Sequence, residues 1–231
     1  MNYICNVSDY IQKAFPHEAT PQQSELFGKL HSFLISDNGD ECFILKGYAG
    51  TGKTTVLGAL VKALRNYNFK YVLLAPTGRA AKVITAYSGR KAFTIHKRIY
   101  RKKSAVNVDE GFLLGDNLAE NTLFIVDEAS MISDEIGINH RASLLYDLIN
   151  YVYNTKNCKL MLVGDTAQLP PVGSEDSPAL DTELMKKKFG LDVFSFELTD
   201  VLRQQKDSGI LYNVTRVRDI IRKGKEKMPQ I

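Results

Sequence analysis

Residues 43–56 constrain this chain more than any other stretch. Phe43-Ile44-Leu45-Lys46 is a short apolar run, and Gly47-Tyr48-Ala49-Gly50-Thr51-Gly52-Lys53-Thr54-Thr55 follows it. Val56, Leu57, Leu60, Val61 and Leu64 then recur at helical spacing, so the stretch reads as a strand that turns through glycines into a helix. Gly47, Gly52, Lys53 and Thr54 fit the pattern G-x-x-x-x-G-K-[ST]. Glycines let successive backbone N–H groups curl around an anion without Cβ clashes. The helix that follows points its positive end at the same anion. In such a cradle, residues Gly47, Ala49, Gly50, Thr51, Gly52, Lys53, Thr54 and Thr55 surround the phosphates of a nucleoside triphosphate. Lys53 reaches the β- and γ-phosphates, and the Thr54 hydroxyl can ligate Mg²⁺. A glycine-rich turn alone would as readily be a tight loop; the strand before it and the helix after it favour the nucleotide.

The rest of the chain repeats the alternation. Residues 1–19 are a mixed lead-in with a short helix near Tyr10-Ile11. Thr20-Pro21-Gln22-Gln23 opens a helix, with Thr20 as N-cap, Pro21 at the first position and Gln23 able to close a capping box. Leu26, Phe27, Leu30, Phe33 and Leu34 form its apolar face, and Asp37-Asn38-Gly39-Asp40 is a turn. Buried strands are expected at 71–75, 123–126, 160–163 and 194–198, and helices around Val83-Ile84, over 141–153 and over 210–223. In the 141–153 helix Leu144, Leu145, Leu148 and Val152 point inward. Residues 97–121 are polar and turn-rich, and Val106, Val108, Phe112 and Leu114 suggest a small β-hairpin around Asp109-Glu110-Gly111. Strands apolar on both faces, alternating with amphipathic helices, imply an α/β fold with a mostly parallel sheet covered by helices and a small hairpin insertion.

Composition narrows the setting. The 231 residues, 44% hydrophobic and 24% charged, suit one large α/β domain with a sizeable core. No apolar run nears the roughly 18 residues of a membrane span, so no membrane association is expected. The N-terminus shows no secretory signal pattern. Cys5, Cys42 and Cys158 are odd in number and far apart, which argues against a disulfide framework or zinc site and for a reducing, cytoplasmic compartment. A net charge of +4 is too mild to announce a nucleic-acid partner by itself.

Two further stretches carry chemistry. Leu123-Phe124-Ile125-Val126 ends in Asp127-Glu128. In a parallel sheet ligands bind beyond the carboxyl ends of the strands, where the glycine-rich turn also lies. One acid there can hold Mg²⁺, usually through water, and the second can deprotonate an attacking water. Alone, the pair could equally be a solvated loop capping the next helix. Gly164-Asp165-Thr166-Ala167-Gln168-Leu169-Pro170-Pro171-Val172-Gly173 ends the next strand at the same edge. The Gln168 amide could hydrogen-bond a γ-phosphate or its water, although a rigid turn is an open alternative.

Together with Ala-Pro-Thr-Gly-Arg-Ala-Ala-Lys at 75–82 and Thr-Ile-His at 94–96, these motifs resemble the RecD/Dda/Pif-type branch of superfamily 1 DNA helicases. The resemblance spans residues 20–225 and holds in motif order and spacing. It implies a RecA-like P-loop ATPase domain over 1–231, with ATP and Mg²⁺ as cofactors. Gln23 then matches the glutamine that recognises adenine, in competition with its capping role. Lys53 and Thr54 match the phosphate and Mg²⁺ residues, Asp127 the Mg²⁺ acid and Glu128 the catalytic base. Gln168 matches a γ-phosphate sensor, and Arg203 an arginine that reaches the γ-phosphate. The family implies single-stranded DNA contacts from Pro76, Thr77 and the Thr94-Ile95-His96 turn. Arg79 and Lys82 would serve phosphates or merely solvate a helix. The basic run at 97–103, with Arg98 and Arg101, falls where the family places a strand-separating pin, and Tyr100 and Phe112 could offer bases a stacking surface.

Helicases of this type bind ATP between two RecA-like domains. The motifs of a second are absent from residues 1–231, so such a domain is expected C-terminal to Ile231, together with a further arginine. The implied function is ATP hydrolysis coupled to translocation on single-stranded DNA, 5′→3′, in the full-length protein, with weak activity for this domain alone. A nucleotide-gated DNA-binding module without unwinding activity is the alternative. A small-molecule P-loop kinase fits less well, because Gly164-Asp165-Thr166-Ala167-Gln168 has no place in it and no arginine-rich lid is evident.

Overall fold

The strand that leads into the glycine-rich turn, β1 (Glu41–Gly47), is buried along nearly its whole length. The computed structural model describes residues 6–101, 113–136, 142–168, 171 and 176–200. In chain order these form α1 (Val7–Ala14), α2 (Pro21–Ile35), β1, α3 (Lys53–Asn66), β2 (Lys70–Ala75), α4 (Gly78–Ser88), β3 (Ala92–Thr94) and α5 (Ile95–Ile99). A short antiparallel pair follows, β4 (Tyr100–Arg101) with β5 (Leu113–Leu114). Then come β6 (Thr122–Val126), α6 (Leu144–Tyr153), β7 (Lys159–Gly164), α7 (Thr182–Phe189) and β8 (Asp192–Leu198).

The main sheet has six parallel strands in the order β3-β2-β6-β7-β1-β8. Period-2 alternation sorts each strand's side chains between two cores. Phe43 and Leu45 of β1 join Leu73, Leu123, Ile125 and Met161 under α1 to α4. Cys42 and Ile44 join Leu74, Phe124, Leu160 and Leu162 under α5, α6 and α7. Helices on both faces explain why the strands read as continuous apolar runs rather than alternating ones.

Several expectations are sharpened. The lead-in helix is α1, capped by Asn6, whose side chain accepts from Ser8 N–H at 3.0 Å. The 71–75 strand begins at Lys70, and only its second half is fully buried. The expected 141–153 helix begins at Leu144, capped by Ser143. β3, α5 and α7 had no counterpart in the sequence reading. β3 and α5 are too short to show periodicity, and Met185 is the one buried residue of α7. The hairpin tip around 109–111 and the 210–223 helix lie outside the described residues. At the sheet pole opposite the glycine-rich turn, Lys159 Nζ donates to Glu41 Oε2 at 2.5 Å and to the Phe33 carbonyl at 2.8 Å, and Ser36 Oγ donates to Glu41 Oε1 at 2.6 Å. Both charges are buried and fully paired.

Candidate nucleotide site and its basic flank

Register brings the chemistry together. Lys46 lies beside Gly164, and Val126 beside Leu162, so β1, β6 and β7 end on one edge of the sheet. Their exits surround a cavity of about 890 Å³ lined by Ala49, Gly50, Gly52, Lys53, Thr54, Thr55, Asp127, Glu128, Asp165 and Gln168, with Phe15, His17, Glu18, Thr20 and Gln23 at one end.

The loop after β1 needs its glycines. Gly50 and Gly52 have φ of 87° and 93°, a region that costs a side chain strain. A Cβ on Gly47 would sit 2.8 Å from Thr51 Oγ1 and 3.0 Å from the Leu198 carbonyl. Gly47 and Thr51 therefore shape the loop from behind and do not line the cavity, unlike Ala49, Gly50, Gly52, Lys53, Thr54 and Thr55. Thr51 is buried, and its hydroxyl donates to the Tyr48 carbonyl at 2.8 Å. Gly52 caps α3 without a side-chain acceptor, which leaves the helix's first N–H groups open to an anion. The Lys53 ammonium donates to the carbonyls of Gly47 at 2.5 Å and Tyr48 at 3.0 Å, which places it over the centre of the loop.

Asp127 follows β6, and both its oxygens accept hydrogen bonds: Oδ1 from Glu128 N–H at 2.9 Å and Oδ2 from the Tyr87 hydroxyl at 3.1 Å. Burial raises its pKa above the ordinary carboxylate value, against the pull of the Glu128 N–H, the Tyr87 hydroxyl and Lys53. Glu128 has φ 58° and ψ 35°, left-handed backbone. The other non-glycine residues described with positive φ are asparagines, which tolerate it. Backbone held in this region costs roughly 1–3 kcal/mol and gathers at functional sites. Gln168 is tied to the same loop, since Ser130 Oγ donates to Gln168 Oε1 at 2.9 Å. Gly164 makes this approach possible: a Cβ there would lie 3.0 Å from Ser130 N and 2.8 Å from Leu180 Cδ1.

Of the two roles weighed for Gln23, the capping role falls to its amide oxygen. Oε1 accepts Thr20 N–H at 3.1 Å while Thr20 Oγ1 accepts Gln23 N–H at 3.2 Å, which completes the capping box. Nε2 is buried at the cavity wall and has no acceptor among the described residues. A buried orphan donor is costly unless something accepts from it, and a ring nitrogen of a base is suitable. Phe15, His17 and Glu18 rim the same end and escaped the sequence reading, as did Asp165, Tyr87 and Ser130. Asp165 alone carried a visible signal, an acid at a strand end like Asp127.

The expected DNA residues sit on the neighbouring strand exits. Ala75 and Thr94 are register partners, so the turn at 76–79 lies beside Thr94 and His96. Thr77 and Thr94 are both helix N-caps, accepting Ala80 N–H and Lys97 N–H at 3.2 Å each. Arg79 and Lys82 are exposed, and so is His96, whose ring tilts against Tyr100 at 5.5 Å. Pro76 is half-buried at the head of the turn. Lys82, Lys91 and Lys97 line a hollow of about 290 Å³ with Phe93 and Thr94. Arg98 Nε is buried without a hydrogen-bond acceptor among the described residues. Arg101 donates weakly to the Arg98 and Tyr100 carbonyls, at 3.4 and 3.3 Å. Arg203 lies outside the described residues.

Among the described residues, no group of three or more His, Cys, Asp or Glu is placed to hold a metal on its own. Thr54 and Asp127, two hard-oxygen residues on one cavity, fit the sparse protein share typical of Mg²⁺ bound with a phosphate ligand. No helix among the described residues is long and apolar enough to cross a membrane.

A family model described as an AAA domain matches residues 19–225. The chain is 32% identical over 135 residues to the ATP-dependent RecD2 DNA helicase of Deinococcus radiodurans, a match covering 58% of this chain and 17% of that protein. It is 30% identical over 164 residues to the ATP-dependent DNA helicase Dda of phage T4, covering 69% of this chain and 34% of that one. Among solved structures, the Pif1 helicase from Candida albicans superposes with a TM-score of 0.57 at 18% identity, over 87% of this chain and 44% of the other. The chain thus spans well under two thirds of the length of these relatives.

Proposed function

Because this chain belongs to the AAA domain family, as a RecD/Dda/Pif-type superfamily 1 helicase motor domain, we propose that it hydrolyses ATP to drive movement along single-stranded DNA. The observation that carries this reading is the single cavity that gathers Lys53, Thr54, Asp127, Glu128 and Gln168 from three neighbouring strand exits. Its other end offers Gln23 Nε2, a donor suited to adenine. The Lys53 ammonium, shared between two loop carbonyls, is the donor for which the β- and γ-phosphates would compete. Mg²⁺, when bound with ATP, would be held by Thr54 and Asp127 and would offset phosphate charge. Glu128 takes the proton of the attacking water, and Gln168, steadied by Ser130, senses the γ-phosphate.

Single-stranded DNA would run past Pro76, Thr77 and Arg79, along Lys82, and over Thr94, His96, Arg98 and Arg101. The support is the adjacency of these turns, the basic hollow beside them and the unsatisfied Arg98 Nε. The hairpin that begins with β4 and β5 would serve as the strand-separating pin. Movement would be 5′→3′ and would need a second RecA-like domain beyond Ile231 to close on the nucleotide. Arginines supplied to a γ-phosphate, Arg203 and one from that domain, are worth about 10³–10⁵ in rate, so this chain alone would turn over slowly. The free, buried Cys42 and Cys158 suit a reducing cytoplasm.

The test is phosphate release with and without oligo(dT) by the full-length protein. Lys53→Ala and Glu128→Gln are each expected to abolish DNA-stimulated hydrolysis, with Glu128→Gln still binding nucleotide. Undiminished hydrolysis in both variants would overturn the assignment.

A further inference from the structure

We propose that Tyr87 is a positioning residue for this site: its hydroxyl fixes the orientation of the Asp127 carboxylate toward the metal–nucleotide complex. The inference rests on the reading of Asp127 as the Mg²⁺ acid. Of the two bonds that Asp127 accepts, the one from Glu128 N–H is local and follows the loop wherever it goes. The other arrives from a different element, across 40 residues of sequence, at 3.1 Å. It alone registers Oδ2 against a rigid part of the fold.

The geometry of α4 explains how a residue near its far end reaches the sheet edge. Helix α4 begins just after β2, and β3, which starts four residues past its end, pairs with Leu73, Leu74 and Ala75 at the close of β2, so both ends of the helix lie near that edge. The Tyr87 ring packs against α3 at Gly58, where an added Cβ would meet Tyr87 Cδ2 at 3.9 Å, ordinary van der Waals contact. A phenol keeps its proton at neutral pH, so the Tyr87 hydroxyl is the donor in its bond to Asp127 Oδ2. One donor to Oδ2 leaves the remaining lone pairs of Asp127 available to a metal or its water. Packing alone would be served as well by phenylalanine; the hydroxyl is what the site uses.

The experiment measures binding and requires no turnover. A fluorescent ATP analogue is titrated onto the 231-residue chain across a range of Mg²⁺ concentrations, for the unmodified protein, Tyr87→Phe and Asp127→Asn. Tyr87→Phe is expected to raise the half-saturating Mg²⁺ roughly tenfold or more, as loss of a supporting partner does at metal sites. Its Mg²⁺-free nucleotide affinity and its thermal unfolding midpoint should match the unmodified protein. A Tyr87→Phe curve superimposable on the unmodified one, while Asp127→Asn shifts, would overturn the role of Tyr87. An Asp127→Asn protein with an unshifted curve would remove the metal reading of Asp127, and the inference with it.

Discussion

Glu128 carries backbone strain and, in the proposed mechanism, would take the proton of the attacking water, and the two can be separated. Glu128→Gly should relieve the left-handed backbone and stabilise the fold by about 1 kcal/mol, while phosphate release disappears. Denaturant melts paired with phosphate-release assays check this; a lower melting midpoint would mean that side-chain contacts outweigh the strain. Lys159 makes the opposite case. It is buried with Glu41 far from the cavity, so its loss touches stability and not chemistry. Lys159→Met should cost about 3–5 kcal/mol by leaving a buried carboxylate unpaired, and adding Glu41→Gln should restore much of it. Equal stability of the single and double variants would show that the pair is not coupled.

At the scale of elements, α2 is where folding and the proposed base recognition would meet. Its capping box spends the Gln23 carbonyl on Thr20 N–H and so aims the amide nitrogen at the cavity. Thr20→Ala should therefore cost about 1 kcal/mol of stability and also narrow the preference for ATP over GTP, measured as a ratio of affinities. Loss of stability with an unchanged ratio would separate the cap from base recognition. Helix α4 has a comparable double role, with the 76–79 turn at one end and Tyr87 on Asp127 near the other. Strand exits and helix starts thus do most of the positioning, because that is where backbone groups lack partners inside their own element.

For the whole molecule, the parallel sheet sets two functional clusters side by side along one edge. Exits of β1, β6 and β7 form the nucleotide cavity, and exits of β2 and β3 form the basic flank. If that flank carries single-stranded DNA, oligo(dT) affinity should fall as salt rises, with a log–log slope of about −0.7 per phosphate contacted. Arg98→Ala should weaken binding and flatten the slope. Salt-independent binding would remove the basic flank from the path of DNA.

The sequence alone determined the strand–turn–helix around Lys53, the acids at the end of β6, the capping box at Thr20 and the parallel α/β character. Each of these is local: continuous apolar runs, turn glycines and cap residues express themselves within a few positions. Short elements such as β3 and α5, and α7 with its one buried side chain, carry too little periodicity to be read that way. Only the tertiary structure decided that Gly47 and Thr51 stand behind the loop, that Ser130 holds Gln168, and that Tyr87 holds Asp127. These depend on which strands lie side by side and on close approaches at Gly47 and Gly164, and residues far apart in the chain meet only once the sheet has assembled.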